Sequence, residues 1–532
     1  MTDLFRRLLR RRGIDEDFLR PQYEDLFEPK RLRGVKEAVT RIRAARERGE
    51  KIVIYGDYDA DGITSSVLMY DALKQYGCKD VEIILPNRFI DGYGLNMPAV
   101  EGIVQRGAGL VVTVDCGSGS GEVIAALRER KIDTIVTDHH EIAEVPKKAV
   151  AVINPKQGDA DGVRMAGVGV AFALARALNA DKNGGKCDGQ EKWLLDLVVI
   201  GTICDSMELR GENRILAYYG MKVLAKTRRP GLKELARVAS VDLQRVNAHA
   251  IGFQLGPRIN AAGRMASADL ALELVMATGR TRAFGLAEEL NRLNDERRQA
   301  QEQAVAEIEV SGKENVVVAC GEWHEGVLGI IAGRLVELYK KPAFALTKLA
   351  DGRVKGSGRS FGEFSLAEAL RHCDDLLLSG GGHAGACGVS MEEKNLRRFR
   401  AKINQYYESL GLKNQERFLR HDSDLKLDDL SEITEELYEE IRLLEPFGEG
   451  NLEPIFEFDG RVFSKRLLKE KHLALTIRDR NNKAMKMMAF HAPEEWQVVE
   501  SGDEVRVQFV LTKNEWRGNV SIEGEILSLE RL

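Results

Sequence analysis

No stretch of this sequence is long and apolar enough to span a bilayer as a helix, so no membrane role is expected. Cysteine is sparse, with seven residues scattered singly and none in a CxxC pair. That spacing excludes a disulfide framework and a zinc finger, and it is expected of a protein that works in a reducing cytoplasm. The first residues, MTDLFRRLLRRRGID, are basic but lack the apolar core and small-residue cleavage site of a secretory signal. Acidic residues from Asp15 onward argue against a transit peptide. Internal repeats and long low-complexity segments are absent too. The formal net charge of −5 lacks the positive balance that advertises a nucleic-acid binder. It excludes none, because an acidic site offsets basic surface elsewhere and only local patches matter. Basic runs occur at Arg6–Arg12, Lys30–Arg33, Arg228-Arg229, Arg397–Arg400 and Lys465–Lys471, and each alone is the ordinary mark of a solvated face.

What is present is a chain of 532 residues, too long for one core, for which three or four domains are expected. Residues 1–48 are polar and helical in pattern. Strand-like runs then alternate with helical ones: Ile52–Tyr55, Val81–Leu85, Leu110–Val114, Thr134–Thr137 and Val150–Ile153, separated by patterns such as Ile63–Tyr76, Ala99–Gln105 and Gly121–Arg130. Such alternation predicts a parallel sheet covered on both faces, here a domain over 49–215. A helical connector over 216–310 ends in a long charged helix, Arg282–Glu309. A second α/β domain is expected over 311–412, and a mostly helical acidic linker over 413–452. The segment 453–532 has five short β-type runs, which predict a small β-barrel of the OB type.

In parallel sheets functional groups gather beyond the carboxyl ends of the strands. Applied here, that rule brings Asp57, Asp59, Asp115, Asp138, His139 and His140 to one edge, with Asp205 as a seventh candidate from the apolar stretch VVIGTICDSMEL. Taken singly, each could be a helix cap or a satisfied core polar group. Together, carboxylates with imidazole suit Mn²⁺, Mg²⁺ or similar ions, and a two-metal site is expected. Two cations about 3.5–4 Å apart acidify a water and neutralise a phosphate, so no side-chain nucleophile is needed. Asp138 is expected to orient an imidazole through its ring N–H. Asp61 has the simpler role of capping the helix that follows it.

DYDADG, VDCG, TDHH and the Asp205 segment resemble the four motifs of the DHH phosphoesterase family. The resemblance implies that Asp57 and Asp115 hold one ion and that Asp59, Asp115, His139 and Asp205 hold the other. His140 would face the scissile phosphate. Some relatives carry a histidine in or just before the first motif, where this sequence has Val53, Tyr55 and Gly56, so weaker binding of the first ion is expected. GSGRS (Gly356–Ser360) and GGGHAGACG (Gly380–Gly388) resemble the DHH-associated domain. Their glycines let backbone N–H groups approach a phosphate, though such loops alone are often tight turns. With PRINAAGRM (Pro257–Met265), the domain order is similar to the family's single-strand-specific 5′-to-3′ DNA exonucleases. That likeness implies a pocket for a terminal 5′ phosphate from Arg264, Ser357 and Arg359, with Ser360, Gly382 and His383 as further substrate contacts. It also implies a single-strand platform in the barrel, where Trp516 is either a stacking residue or an ordinary strand-loop aromatic. Single-stranded DNA is the expected partner, alongside a single-stranded-DNA-binding protein and a RecQ-type helicase. Two other readings stay open: a phosphodiesterase acting on short oligonucleotides or cyclic dinucleotides, and a non-catalytic scaffold that keeps the DHH fold.

Overall fold

The structure, a computed structural model, describes residues 1–92, 94–158, 163–310, 312–412, 422–469, 471–516 and 519–532, with the backbone alone at 516 and 519. Two compact units share the chain: Phe27–Met207 with Tyr219–Leu419, and Met1–Leu26 with Glu208–Tyr218 and Arg420–Leu532.

The larger unit begins with five strands: β1 (Ile52–Tyr55), β2 (Val81–Ile84), β3 (Leu110–Val114), β4 (Asp133–Thr137) and β5 (Ala151–Ile153). Every residue of β1 and β3 is buried, as expected of β-branched runs covered on both faces. The strands pair in parallel in the order β2-β1-β3-β4-β5. This order reverses between β1 and β3, and the crevice beyond that switch point is where open α/β sheets bind ligands. Asp57 and Asp59 follow β1, Asp115 follows β3, and Asp138-His139-His140 follow β4. The helix after β1 spans Ala60–Tyr76, three residues longer at its start than the apolar pattern predicts. Asp59 is its N-cap and accepts from the amides of Asp61 (2.9 Å) and Gly62 (3.0 Å), which draws the first turn back to Ala60. Gly62 is required there, since a Cβ would lie 2.6 Å from the Asp57 Cα.

A helix of 27 residues, Arg280–Ala306, leads to the second lobe of this unit. Its strands are β6 (Val317–Gly321), β7 (Ala343–Lys348), β8 (Arg353–Arg359), β9 (Ser379–Gly382) and β10 (Ala386–Glu392), in the order β6-β7-β8-β10-β9. Only β6 and β7 are parallel, connected through the helix Leu328–Tyr339. One apolar layer joins Ile331 and Leu335 of that helix to Val317 and Ala345 of the strands. The other holds Phe344, Phe364, Phe399 and Ile403.

The smaller unit is built on β11 (Leu425–Lys426), β12 (Phe456–Leu468), β13 (His472–Arg478), β14 (Ala484–Ala489), β15 (Glu504–Trp516) and β16 (Asn519–Arg531). Pairing of β12 with β15 closes five of them into a barrel, with β14 and β16 parallel. Closure of this kind is the OB arrangement. Two expectations change here. The described part of the acidic segment is not mostly helical: its α-helix covers Glu435–Ile441, with short 3-10 turns at Leu430–Glu432 and Arg442–Leu444, and β11 joins the sheet beside β12. Asp-Leu-Lys-Leu, residues 424–427, alternates polar and apolar residues at the strand period, which buries Leu427. The N-terminal residues are also not one segment, because Leu4, Phe5 and Leu8 of the helix Asp3–Arg12 enter the barrel core. Arg12 grips Asp424 through two bonds of 2.6 and 2.7 Å, so part of the Arg6–Arg12 run serves folding. Among the described residues no helix is long and apolar enough to cross a membrane.

Candidate metal centre and phosphate pocket

Three sets of ligand atoms lie within 4.8 Å of one another at the switch point: Asp57, Asp59 and Asp115; Asp61, His139 and Asp205; and Asp115, His139 and His140. His139 Nε2 stands 3.2 Å from Asp115 Oδ1, 3.6 Å from Asp205 Oδ2 and 4.0 Å from Asp61 Oδ2. Both His139 Nε2 and Asp57 Oδ1 are buried without a hydrogen-bonding partner. Burial, then the charge of Asp59, pushes the Asp57 carboxyl up to about 8. The same causes push Asp205 up to about 7. Asp115 rises well above the carboxylate range through burial and the charges of Asp61, Asp59, Asp57 and Asp205. Burial, with His140 adding to it, lowers His139 to about 4, so its imidazole is neutral and can offer a lone pair. Two carboxylates 4 Å apart repel by ~4 kcal/mol at an effective dielectric of 20, and this centre packs several. Its donor set fits divalent cations: hard carboxylate oxygens, one neutral imidazole, and no thiolate among them.

Asp138 is held for a different task. Burial opposes its charge, but His140, through its Nδ1 at 2.8 Å and its charge, and the amides of Ser118 and His140 at 2.8 and 3.2 Å hold its carboxyl below the usual range. His140 in turn rises against its own burial because Asp138, Asp205 and Asp57 favour the imidazolium. Asp61 does not cap its own helix, which Asp59 does. Instead it accepts from the amides of Gly167 (2.6 Å) and Val168 (3.0 Å) and anchors the start of the helix Gly167–Lys182. Gly167 must be small, since a Cβ there would lie 2.5 Å from Asp115 Oδ1. Asp115 itself sits at φ +59°, a strained setting that aims its carboxylate inward. Tyr55 is turned away from the centre, into the core with Val53 and Val111, and its hydroxyl donates to the Gly94 carbonyl at 3.3 Å.

The second group of candidate residues converges from three elements. Ser357 and Arg359, two apart on β8, share a face beside the start of the helix Leu328–Tyr339, where a Cβ on Gly329 would lie 3.0 Å from Arg359 Nη2 and 3.7 Å from Ser357 Oγ. Arg264, near the end of the helix Gly256–Met265, has one long bond of 3.4 Å to the Gly326 carbonyl. Burial, then Arg88 and Arg297, brings its guanidinium down to about 10 against the pull of Asp59. Burial and Arg88 likewise lower Arg359. Arg88 stacks over the Tyr58 ring at 4.2 Å. It follows the carboxyl end of β2, so the strand-end rule could have found it. Asn260 is a second unpredicted residue: its Oδ1 accepts from the Ala60 amide at 2.8 Å and ties PRINAAGRM to DYDADG.

The remaining candidates separate. Ser360 is set apart from the pocket, with its hydroxyl donating to the Phe364 carbonyl and its amide to that of Gly385 at 2.9 Å. Gly382 adopts φ +144° in the edge strand β9, and its Cβ would lie 2.3 Å from the Ala386 carbonyl. His383 is exposed and lines a cleft of about 800 Å³ with Ser118, Asp138, His140 and Lys148. The side chain of Trp516 lies outside the described residues.

The sequence matches the DHH family, N-terminal domain, over residues 51–202, the DHHA1 domain over 313–409 and the RecJ OB domain over 423–527. Two α/β lobes, an acid–imidazole centre at the switch point and these matches define a metal-dependent hydrolase of the DHH class. Over 97% of its length the chain is 35% identical to the single-stranded-DNA-specific exonuclease RecJ of Bacillus subtilis, spanning 66% of that protein. It is 34% identical to the Escherichia coli protein of the same name, with 98% of this chain and 95% of that one covered. The crystal structure of RecJ in complex with Mn²⁺ from Thermus thermophilus matches with a TM-score of 0.84 at 29% identity, covering 98% of this chain and 75% of that one. The chain belongs to the RecJ family.

Proposed function

We propose that this chain is a single-strand-specific DNA exonuclease that works from the 5′ end and releases 5′-mononucleotides. One observation carries the reading: a centre of carboxylates and neutral imidazole shares a unit with a cluster of guanidiniums that has little acidic company. The first suits hydrolysis of a phosphodiester, the second capture of a terminal phosphate. In this reading Asp57 and Asp115 hold one Mn²⁺ or Mg²⁺, and Asp59, Asp115, His139 and Asp205 hold another. When bound, the ions supply charge neutralisation at the phosphate and acidify the attacking water. Asp138 pairs with His140 Nδ1 and favours the imidazolium, whose other ring N–H would donate to the phosphate or to the departing 3′ oxygen. Arg88, Arg264, Ser357 and Arg359 grip the terminal phosphate and so set polarity, while His383 donates from the second lobe.

The barrel would hold the rest of the strand. Exposed Lys469 and Lys471 precede His472, whose ring meets Phe490 at 5.7 Å, and Phe490 is 55% exposed. Basic groups on the loop between the first two barrel strands, beside the rings of His472 at the start of β13 and Phe490 just past β14, are suited to a single strand. An enzyme restricted to single strands depends on others to open and guard them, hence the proposed single-stranded-DNA-binding protein and RecQ-type helicase. The seven free cysteines agree with work in a reducing cytoplasm.

Digestion of end-labelled oligonucleotides tests the whole reading. With Mn²⁺ or Mg²⁺, a 5′-labelled single strand should release labelled mononucleotide at once, and chelator should stop it. Duplex cleaved as fast as single strand, or release of a 3′ label first, would count against the proposal.

A further inference from the structure

We propose that Arg297, on the helix between the two lobes, is a fourth guanidinium of the terminal-phosphate pocket and helps an end bearing a phosphate to be chosen over one that lacks it. This rests on the reading of the site just given. The helix Arg280–Ala306 is charged on most of its surface, but its buried residues Leu290, Leu293, Asn294 and Ala304 trace one stripe. Arg297 lies on that stripe, three residues after Asn294 and four before Gln301. Gln301 Nε2 donates to the Ile330 carbonyl at 3.4 Å, and Ile330 is next to Gly329, the residue that abuts Arg359 and Ser357. On the other side Arg258 bonds Asn291 at 2.9 Å. Six residues further along each helix stand Arg264 and Arg297, and Arg297 is close enough to weaken the Arg264 guanidinium. Arg297 therefore stands on the helix face that fronts Arg264, one turn before the Gln301 contact beside Gly329.

Nε of Arg297 is buried and meets no acceptor among the described residues. Arg298, Arg258 and Arg264 repel it, and Asp295 opposes them. Gathering Arg88, Arg264, Arg297 and Arg359 costs repulsion that a dianionic phosphate monoester removes. An internal phosphodiester, with one charge, removes less. Planar forks suit this task, since each guanidinium can grip two phosphate oxygens at once.

The test compares a 5′-phosphorylated with a 5′-hydroxyl single-stranded oligonucleotide, using the whole protein with saturating Mn²⁺. For Arg297→Ala, the ratio of kcat/KM between the two ends should fall about tenfold or more, chiefly through KM for the phosphorylated end. Arg297→Lys keeps the charge without the fork, and its ratio should lie between the two. An unchanged ratio in Arg297→Ala overturns the proposal, whether both rates stay as they were or fall by one common factor. Should that variant fail to fold, Arg297→Lys decides, and a wild-type ratio in it overturns the proposal equally. Failure of the underlying reading looks different, because the wild-type protein would then degrade neither strand.

Discussion

Asp115 is the carboxylate on which the centre turns. It shares one ligand set with Asp57 and Asp59 and another with His139 and His140, and Asp61 and Asp205 also act on it. In the absence of a cation these charges oppose folding, so removing one should both stop catalysis and relieve repulsion. Asparagine is the substitution to make, because position 115 sits at φ +59° and asparagine tolerates the left-handed region better than alanine. Asp115→Asn should lower hydrolysis roughly a thousandfold or more, and in chelator it should melt at a higher temperature than the wild type. Added Mn²⁺ should raise the wild-type melting temperature, and the gain should shrink in the variant. Wild-type turnover, or an undiminished gain, would sink the shared-ligand assignment. The strand-end rule could reach Asp115, Asp57 and His139 because each follows a β-branched run that can only be a buried strand. It gave no access to Asn260 or Arg297, whose signals are those of ordinary polar residues on helices. A charge inside a helix charged over most of its surface announces nothing until the partner face is known.

Elements show the same boundary between local and distant information. The five strands of the first sheet were legible because their apolar runs are short, β-branched and bounded by turns. What escaped was pairing across long sequence separations, such as the helix Asp3–Arg12 entering the barrel core and β11 joining β12. Nothing in an acidic segment announces that two of its residues complete a sheet thirty positions away. One consequence concerns Glu453, just before β12, whose carboxyl is pushed up to about 7 by burial and then by Glu525 and Glu445. A carboxyl whose folded value lies above its unfolded one, ordinarily 4.5, favours the fold when protonated. Its contribution is therefore complete below about pH 4.5 and lost as pH rises through about 7. Amide exchange in β12 and β16 should accordingly be slower at pH 5.5 than at pH 8 after correction for intrinsic rates, and Glu453→Gln should flatten the difference. A difference that survives the substitution would place its origin elsewhere.

At the scale of the whole molecule, the proposed exonuclease would read the strand's end in one unit and hold later phosphates on Lys469 and Lys471 in the other. If these lysines serve the strand rather than the chemistry, the two functions respond differently to substrate length. A strand of three or four nucleotides offers a terminal phosphate and a scissile bond but little else, whereas a strand of several tens offers phosphates to every basic group. Reversing Lys469 and Lys471 to glutamate should therefore weaken binding of the long strand strongly and change turnover of the short one little. Salt sharpens the comparison. Each phosphate contact on a single strand contributes about 0.7 to the slope of log affinity against log salt, so loss of two should flatten that slope by about 1.4. Fluorescence anisotropy on a labelled strand across a salt series, with chelator present to prevent cleavage, measures it directly. An unchanged slope would mean that Lys469 and Lys471 face solvent only, and equal losses on short and long strands would mean that they act on the centre itself. A flattened slope with short-strand turnover retained would leave the acid–imidazole centre and its arginines sufficient for cleavage, and the barrel as the part that makes long single strands the preferred substrate.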